Sequence, residues 1–216
     1  KGLLNHRYEL VKVYHEEDNE YICNTPLTVR KKYDIDGNVV EELLYDVNDK
    51  SPICDESGAY GWRLNDNKIE YLGGNAEIAN NKYGYAIIEY SSTVHEGESC
   101  SVTAYYDKDY KPIVCKEGYH KKIETTAPSY DELCKQIYYF DSNEEPCDCL
   151  DGYARQLFEE EKINEDEVKI VVSFWGVDST PRLNKGLGYH KREQIISIST
   201  RKDPMEICRS FKDEND

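Results

Sequence analysis

The chain has 216 residues, with 43 acidic against 27 basic side chains and a formal net charge of −16. An acidic surface lacks the Lys/Arg stripe that neutralises phosphates, so we expect no nucleic-acid partner. Such a surface is also repelled by anionic lipid, and the chain has no apolar run of about 18 residues, so we expect no membrane insertion. The 19 Tyr, against 4 Phe, 2 Trp and 1 Met, indicate that aromatic packing relies on rings that carry a hydroxyl.

Aromatic residues followed by a turn-forming cluster recur along the chain, most of them with a proline six or seven positions later. These anchor residues are Tyr14, Tyr45, Tyr71, Tyr106, Phe140, Trp175 and Phe211, at intervals of 31, 26, 35, 34, 35 and 36 residues. A period of this size is typical of repeat proteins, and drift towards the ends is typical of capping repeats. We therefore predict a single hairpin-repeat domain over residues 1–216, with atypical capping units at about 1–30 and 189–216.

A second marker, a Gly-Tyr pair, recurs later in the chain with glycine spacings of 34, 34 and 36 residues. The pairs are Gly84-Tyr85, Gly118-Tyr119, Gly152-Tyr153 and Gly188-Tyr189. Runs that end at the anchors, such as 101–106, are rich in β-branched and aromatic residues, and clusters of Asp, Ser, Asn and Gly follow them, which indicates strands that lead into tight turns. We expect the proline to fix the start of the return strand and the Gly-Tyr pair to open the next strand.

The fold class predicted from these markers is mainly β: an elongated array of about six to seven β-hairpin repeats of roughly 34 residues. One segment departs from the pattern. Residues 153–168 combine helix formers with an acidic run, and we predict a short helix within 153–163.

The acidic segment 33–42 resembles the start of a calcium loop, because Asp34, Asp36 and Asn38 alternate around Gly37. The bidentate glutamate that completes such a loop is missing, since position 45 is a tyrosine. We therefore favour a hairpin turn with a left-handed glycine. Neither a metal nor a cofactor is expected.

The eight cysteines follow the repeat, and their even number in a chain of low aliphatic content favours a secreted, disulfide-stapled protein. Cysteines on opposite arms of one hairpin can meet the Cα separation of roughly 4.4–6.8 Å that a disulfide needs. The predicted pairs are Cys100–Cys115 and Cys134–Cys149, then Cys23–Cys54 as equivalent positions in successive repeats, with Cys147 and Cys208 left over. Zinc is not expected, because no CxxC is present; reduced, half-buried thiols are the alternative.

No arrangement typical of catalysis is present in the sequence. GxSxG, HExxH, GxxxxGK[ST] and GxGxxG stretches are all missing. His120 and His190 each follow a Gly-Tyr pair, so a repeated scaffold or contact role is favoured over a single catalytic base. We therefore expect a protein without enzymatic activity.

The segment 135–153, KQIYYFDSNEEPCDCLDGY, resembles the aromatic hairpin repeats of the choline-binding and glucan-binding proteins of bacterial cell surfaces. The segment 33–46, YDIDGNVVEELLYD, is similar to the tyrosine-aspartate hairpin repeats of large bacterial surface and exported proteins. This resemblance implies a hairpin array at the cell surface or in the extracellular space, with ligands held between aromatic residues of successive repeats.

Two functions fit these observations. In the first, the protein is a non-enzymatic extracellular binding or adhesion module whose exposed rings bind a cell-wall glycan or another protein. In the second, the tyrosines form the core and the array is a spacer or assembly subunit that self-associates through its strand edges; an accessory region of a larger surface enzyme is a further alternative. The predicted ligand-binding residues are Trp62, Tyr85, Tyr106, Tyr119, Phe140, Tyr153, Trp175 and Tyr189. The two functions predict different environments for these rings: they face water in a binding module and the core in a spacer or assembly subunit.

Overall fold

The computed structural model describes residues 8–13, 27–46, 48, 50–125, 134–164, 167–197 and 205–212. These residues form strands and turns, and none of them belongs to a helix that could cross a membrane. Each strand lies beside the next strand along the chain. The prediction of a mainly β array of hairpins is therefore confirmed.

Thirteen strands make up this arrangement, and the registered pairs are antiparallel. They are β1 (Tyr8–Val13), β2 (Leu27–Tyr33), β3 (Val39–Asp46), β4 (Gly61–Asn65), β5 (Lys68–Leu72), β6 (Ile87–His95), β7 (Glu98–Tyr106), β8 (Lys121–Thr125), β9 (Cys134–Phe140), β10 (Arg155–Lys162), β11 (Glu167–Trp175), β12 (Lys191–Ser197) and β13 (Met205–Lys212). The chain divides into two compact units: unit 1 comprises residues 1–89 and 105–111, and unit 2 comprises 90–104 and 112–216. The predicted caps at 1–30 and 189–216 fall partly outside the described residues, as do the anchor Tyr14 and Cys23.

The loop that follows an anchor contains two turns, as residues 141–153 illustrate. In the first turn, the Asp141 N–H donates to the Glu145 carbonyl (2.8 Å), while Asp141 Oδ1 accepts hydrogen bonds from two backbone N–H groups of the turn. In the second turn, the Cys149 N–H donates to the Tyr153 carbonyl (2.8 Å), and Gly152 has a φ of +89°, which a glycine adopts without strain. We call this second element the glycine turn.

The proline does not start the return strand, so that part of the prediction is wrong. Pro146 instead forms an isolated bridge to the anchor Phe140, and β10 begins only at Arg155. Pro181 bridges Trp175 in the same way. The loop is longer than predicted because the glycine turn comes between the proline and the strand.

One anchor is shifted by one residue from its predicted position. The bridge that corresponds to Phe140–Pro146 joins Leu72 to Ile78, so Leu72 is the anchor of this repeat. Tyr71 therefore precedes an anchor, as Tyr139 precedes Phe140. This register is not recognisable from the sequence, because the repeat has no proline at the expected position and its anchor is aliphatic instead of aromatic.

Glycine turns of successive repeats are joined by single backbone hydrogen bonds. The Leu150 N–H donates to the Glu117 carbonyl (2.7 Å), and the Lys185 N–H donates to the Asp151 carbonyl (2.9 Å). In unit 2 these hydrogen bonds therefore connect the loops of successive repeats to one another, beside the paired strands.

In unit 2, five rings form a continuous row that we call the tyrosine ladder: Tyr119, Tyr139, Tyr153, Phe174 and Tyr189. Successive ring centroids are 4.7, 5.8, 4.6 and 6.1 Å apart, all within the range of favourable aromatic contacts. Every ring of the row is buried. The ladder alternates the residue after a turn glycine with the residue before an anchor, so the repeat itself generates the core.

The opposite face of the strands in unit 2 carries a smaller apolar cluster. Cys100, Val102 and Ile123 are buried there, and Tyr138 and Phe140 pack against them. Tyr138 and Tyr139 point to opposite faces because side chains alternate along a strand.

The core of unit 1 combines aliphatic residues with a shorter row of rings. Leu72 and Ile87 are fully buried. Tyr85 contacts Tyr71 and Tyr105 edge to face, at centroid distances of 5.7 and 5.0 Å.

The predicted helix within 153–163 is wrong, because residues 155–162 form β10. Arg155 lies opposite Tyr138 of β9 and opposite Trp175 of β11. Pairing on both sides supplies β10 with backbone hydrogen bonds, which outweighs the helix propensity of its Glu residues.

The predicted disulfides are also wrong, because every described cysteine side chain is a free thiol. These are Cys54, Cys100, Cys115, Cys147 and Cys149. Each of the three predicted pairs, Cys100–Cys115, Cys134–Cys149 and Cys23–Cys54, includes at least one of them, and so do the two leftover cysteines, Cys147 and Cys208.

The reason is the glycine turn, which moves the second cysteine away from the first. Cys100 lies opposite Thr125, whereas Cys115 lies in the glycine turn just before β8. The two are separated by about four strand residues, or about 13 Å at 3.3 Å per residue, which exceeds the reach of a disulfide. Cys134, opposite Glu159, and Cys149 have the same relation one repeat later.

The acidic segment 33–42 forms a hairpin turn between β2 and β3. Asp34 Oδ1 accepts hydrogen bonds from the N–H groups of Asp36 (2.9 Å) and Asn38 (2.8 Å), and Gly37 has a φ of +87°. The hairpin interpretation is confirmed. In the described part of the chain, no group of three or more His, Cys, Asp and Glu side chains is arranged to hold a metal ion.

Candidate ligand-binding surface

The predicted site residues divide into two sets by exposure. The four tyrosines that follow a turn glycine, Tyr85, Tyr119, Tyr153 and Tyr189, are only 6–9% exposed. The other four, Trp62, Tyr106, Phe140 and Trp175, are partly exposed. The first set therefore packs the cores of the two units, and the second set is left to form a surface.

In unit 1, hydrogen bonds to carboxylates hold two of these residues. The Trp62 indole N–H donates to Glu42 Oε2 (3.2 Å). Burial, together with the hydrogen bond to Glu89, raises the pKa of Tyr106 to about 12. Trp62 does not follow the turn glycine of its repeat. That glycine is Gly58, and Ala59 after it takes the place of the buried tyrosine, so Trp62 lies further along the chain, within β4.

In unit 2, strand register brings three large side chains side by side on one face. Arg155 lies opposite Tyr138 on one side and opposite Trp175 on the other. Directly opposed residues of antiparallel strands share a face and contact each other. The Arg155 guanidinium carbon lies 5.6 Å from the centre of the Trp175 ring.

The first cleft on this face, which we call the His95 cleft, has a volume of about 260 Å³. Residues that line it include His95, Glu96, Tyr138, Phe140, Arg155 and Val177. The His95 ring contacts Tyr138 edge to face, with centroids 4.7 Å apart. The Tyr138 hydroxyl donates to Glu96 Oε2 (2.9 Å), and burial together with this carboxylate raises the pKa of Tyr138 to about 12.

The second cleft, which we call the Trp175 cleft, has a volume of about 300 Å³. Residues that line it include Leu157, Glu159, Ser173, Trp175, His190 and Lys191. The Trp175 indole N–H donates to Ser173 Oγ (3.1 Å), and the Trp175 and His190 rings meet edge to face at 6.1 Å. The indole N–H is thus already bonded, while the ring remains partly accessible.

The sequence did not indicate several residues of these clefts. His95 lies in a hairpin 43 positions before Tyr138, a distance at which sequence spacing gives no signal. Tyr138 could have been found, because strand alternation places it on the face of Phe140. His190 was recognised as a repeated position, but its place beside Trp175 depends on the pairing of β11 with β12.

Comparisons of the chain with protein-family models, with curated proteins and with solved structures find no match.

Proposed function

We propose that the protein is a non-enzymatic binding module that holds a glycan or protein ligand against the partly exposed aromatic residues of unit 2. The observation that carries this proposal is the division of the repeated rings. One set forms the buried tyrosine ladder, while Phe140 and Trp175 stay accessible beside two adjacent clefts. Concave, largely apolar sites with a few polar groups are typical of ligand binding.

Two polar groups of the clefts, Tyr138 and Lys191, are already paired, which favours binding over catalysis at these positions. Tyr138 is held neutral by its raised pKa and bonded to Glu96. Lys191 Nζ lies 2.7 Å from Glu193 Oε1. Groups that are already paired can orient a ligand through remaining hydrogen bonds, but they are poorly suited to act as an activated nucleophile or general base.

Location outside the cell is part of this proposal. The free thiols remove the cysteine argument for it. Its support is the resemblance of segments 135–153 and 33–46 to surface repeats.

Tryptophan fluorescence tests the proposal, since the chain has only two Trp residues. In a Trp62→Phe variant, emission reports Trp175 alone, and in a Trp175→Phe variant it reports Trp62 alone. We expect at least one soluble polysaccharide of a cell-wall panel to change the emission of Trp175 and leave that of Trp62 unchanged. No response across the panel, together with no retardation in affinity electrophoresis, would contradict glycan binding.

A second candidate function is self-assembly through strand edges. In the strand order, β1 and β13 each have a single neighbour. An unpaired strand edge can pair with another copy of the chain. Sedimentation velocity over a hundredfold concentration range tests this function, because a constant monomer would exclude it and concentration-dependent growth would support it.

A further inference from the structure

Lys121 and Arg155 occupy the same position in successive repeats, two residues after the tyrosine that follows a turn glycine. Lys121 lies opposite the anchor Phe140 of the next strand, and its Nζ is 5.3 Å from the centre of that ring. Arg155 lies opposite the anchor Trp175 in the same way, with its guanidinium carbon 5.6 Å from the ring centre. Both repeats therefore hold a cation against the ring of an anchor.

The two repeats differ in the loop that follows the anchor. In the first repeat, Glu144 lies four residues after Phe140, and its carboxylate forms an ion pair with Lys121 Nζ. In the second repeat, the residue four positions after Trp175 is Ser179. Glu144 and Ser179 share a left-handed backbone conformation, with φ values of +67° and +60°. The second repeat thus keeps the cation and the loop but lacks the carboxylate.

The Arg155 guanidinium has no hydrogen-bond or ion-pair partner in the part of the chain that the structure describes. Its Nε is closed off from solvent, whereas the two terminal nitrogens are not. A guanidinium presents parallel N–H donors that match the two oxygens of a carboxylate. The terminal nitrogens of Arg155 can therefore bind a carboxylate that comes from outside the chain.

Space for such a group is present beside Arg155, because Arg155 and Ser179 both line the His95 cleft. The cleft has a volume of about 260 Å³, which is smaller than the roughly 300–1,000 Å³ of pockets for small molecules and suits a single side chain. Phe140, Pro146 and Val177 also line it. These apolar walls can pack against the methylene groups of a side chain that ends in a carboxylate.

The surroundings of Arg155 favour a single carboxylate over a polyanion. Glu96 also lines the cleft, where its carboxylate accepts the Tyr138 hydroxyl (2.9 Å). The whole chain has a formal net charge of −16, which repels a strongly acidic partner. A lone glutamate side chain brings one negative charge, whereas an acidic polysaccharide brings one at every few sugar rings. A protein ligand is therefore favoured over an acidic polysaccharide.

We propose that the His95 cleft binds a glutamate side chain of a protein ligand, whose carboxylate pairs with the Arg155 guanidinium. The glutamate of the ligand takes the place that Glu144 fills from within the chain one repeat earlier. This inference rests on the proposed binding function and deepens it by naming the ligand class and the residue that recognises it.

The probes that test this inference are N-acetylglutamate N-methylamide and its neutral counterpart of equal size, N-acetylglutamine N-methylamide. Each is titrated into nitrogen-15-labelled protein, and the backbone amide signal of Val177 reports occupation of the cleft. We expect the glutamate derivative to bind about tenfold more tightly than the glutamine derivative, because hydrogen bonds between charged groups are stronger than those to a neutral amide.

Two variants test the roles of Arg155 and Ser179. Arg155→Gln should abolish the preference for the glutamate derivative. Ser179→Glu should supply the carboxylate from within the chain, as Glu144 does, and weaken binding of the glutamate derivative at least about tenfold. Ser142→Glu, at an exposed position of the preceding loop, adds the same charge and should change binding by no more than about twofold. Because Ser179 is exposed, Ser179→Glu decides the question if Arg155→Gln does not fold.

Equal binding of the two derivatives, or unchanged binding of the glutamate derivative to Ser179→Glu, would overturn the inference. Tighter binding of glucuronate than of the glutamate derivative would also overturn it, because the ligand would then be an acidic sugar. If a polysaccharide changes Trp175 emission while neither derivative binds, this inference fails and the binding function stands. If neither the polysaccharides nor the derivatives bind, both fail.

Discussion

Tyr139 and Tyr153 pack ring against ring in the middle of the tyrosine ladder, with centroids 5.8 Å apart. One precedes the anchor Phe140, and the other follows the turn glycine Gly152. The contact therefore joins the two markers of the repeat. It explains why a chain with few Leu and Phe residues folds with tyrosine as its principal aromatic core residue.

Truncation of a ladder ring is expected to destabilise unit 2 strongly. Tyr139→Ala should lower the free energy of unfolding by about 3–5 kcal/mol, because it removes a buried ring and leaves a cavity between Tyr119 and Tyr153. Urea denaturation followed by circular dichroism measures the change. Leu187→Ala, at a position 56% exposed in the same unit, serves as the control and should change stability by no more than about 0.5 kcal/mol. Equal effects of the two substitutions would argue against a packed ladder.

The ladder also predicts a loss of stability in alkali. Burial, with the neighbouring Cys149, raises the pKa of Tyr153 to about 12, above its ordinary value of 10.0. This contribution of Tyr153 to folding stability is fully present below pH 10 and is lost as the pH rises through 12. The reason is that the Tyr153 hydroxyl loses its proton near pH 10 in the unfolded state but only near pH 12 in the folded state. The rise in the pKa of Tyr153 corresponds to a loss of about 3 kcal/mol of folding free energy at high pH. Tyr153→Phe should flatten the stability profile between pH 10 and 12 relative to the parent protein, and parallel profiles would contradict this expectation.

Much of the fold follows from the sequence, because the residues that set the register are local. A left-handed glycine such as Gly152 and a turn aspartate such as Asp141 act within a few positions, so their period reveals the repeat. The helix predicted within 153–163 is wrong because pairing with the distant strands β9 and β11 fixes β10, and the predicted disulfides are wrong because the glycine turn lengthens the loop between the two cysteines. The contact between His95 and Tyr138 depends on such pairing too, which is why the clefts could not be derived from spacing.

The thiols are expected to differ sharply in reactivity. Cys54 is exposed, whereas Cys115 is buried and its pKa is raised to about 12 by burial and by Glu117. Iodoacetamide at pH 8 should label Cys54 rapidly and Cys115 only after unfolding, since the thiolate is the reactive form. Peptide mass mapping identifies the labelled sites. Recovery of a Cys100–Cys115 disulfide peptide from a non-reduced digest would contradict the fold of this loop.

In unit 1, a buried carboxylate links β4 and β5 to the turn at 107–111. Glu70 is 1% exposed and accepts hydrogen bonds from Arg63 Nη2 (2.6 Å), Asn65 Nδ2 (2.8 Å) and the Tyr110 hydroxyl (3.0 Å). Burial acts to raise the pKa of Glu70, but these three hydrogen bonds together outweigh it and hold the pKa below 4.5. Glu70→Gln should therefore cost about 2 kcal/mol at pH 7.

This cost should disappear in acid. A lowered pKa contributes stability that is present above pH 4.5 and is lost as the pH falls through the folded-state value. The difference between Glu70→Gln and the parent protein, measured by urea denaturation, should accordingly shrink below pH 4.5. Glu56→Gln, at an exposed position of the same unit, should differ little from the parent at any pH. A constant difference for Glu70→Gln would exclude the ionised network.

The most direct test of the division between buried and accessible rings is hydroxyl-radical footprinting of the native protein with residue-resolved mass spectrometry. Tyr90 and Tyr110, which are 46% and 48% exposed, provide reference rates for accessible tyrosine. We expect Tyr85, Tyr119, Tyr153 and Tyr189 to oxidise at least about tenfold more slowly than these references, and we expect Trp175 to oxidise readily. Oxidation of the four post-glycine tyrosines at the reference rate, with Trp175 protected, would show that the ladder faces water and would contradict both the core and the binding surface assigned to unit 2.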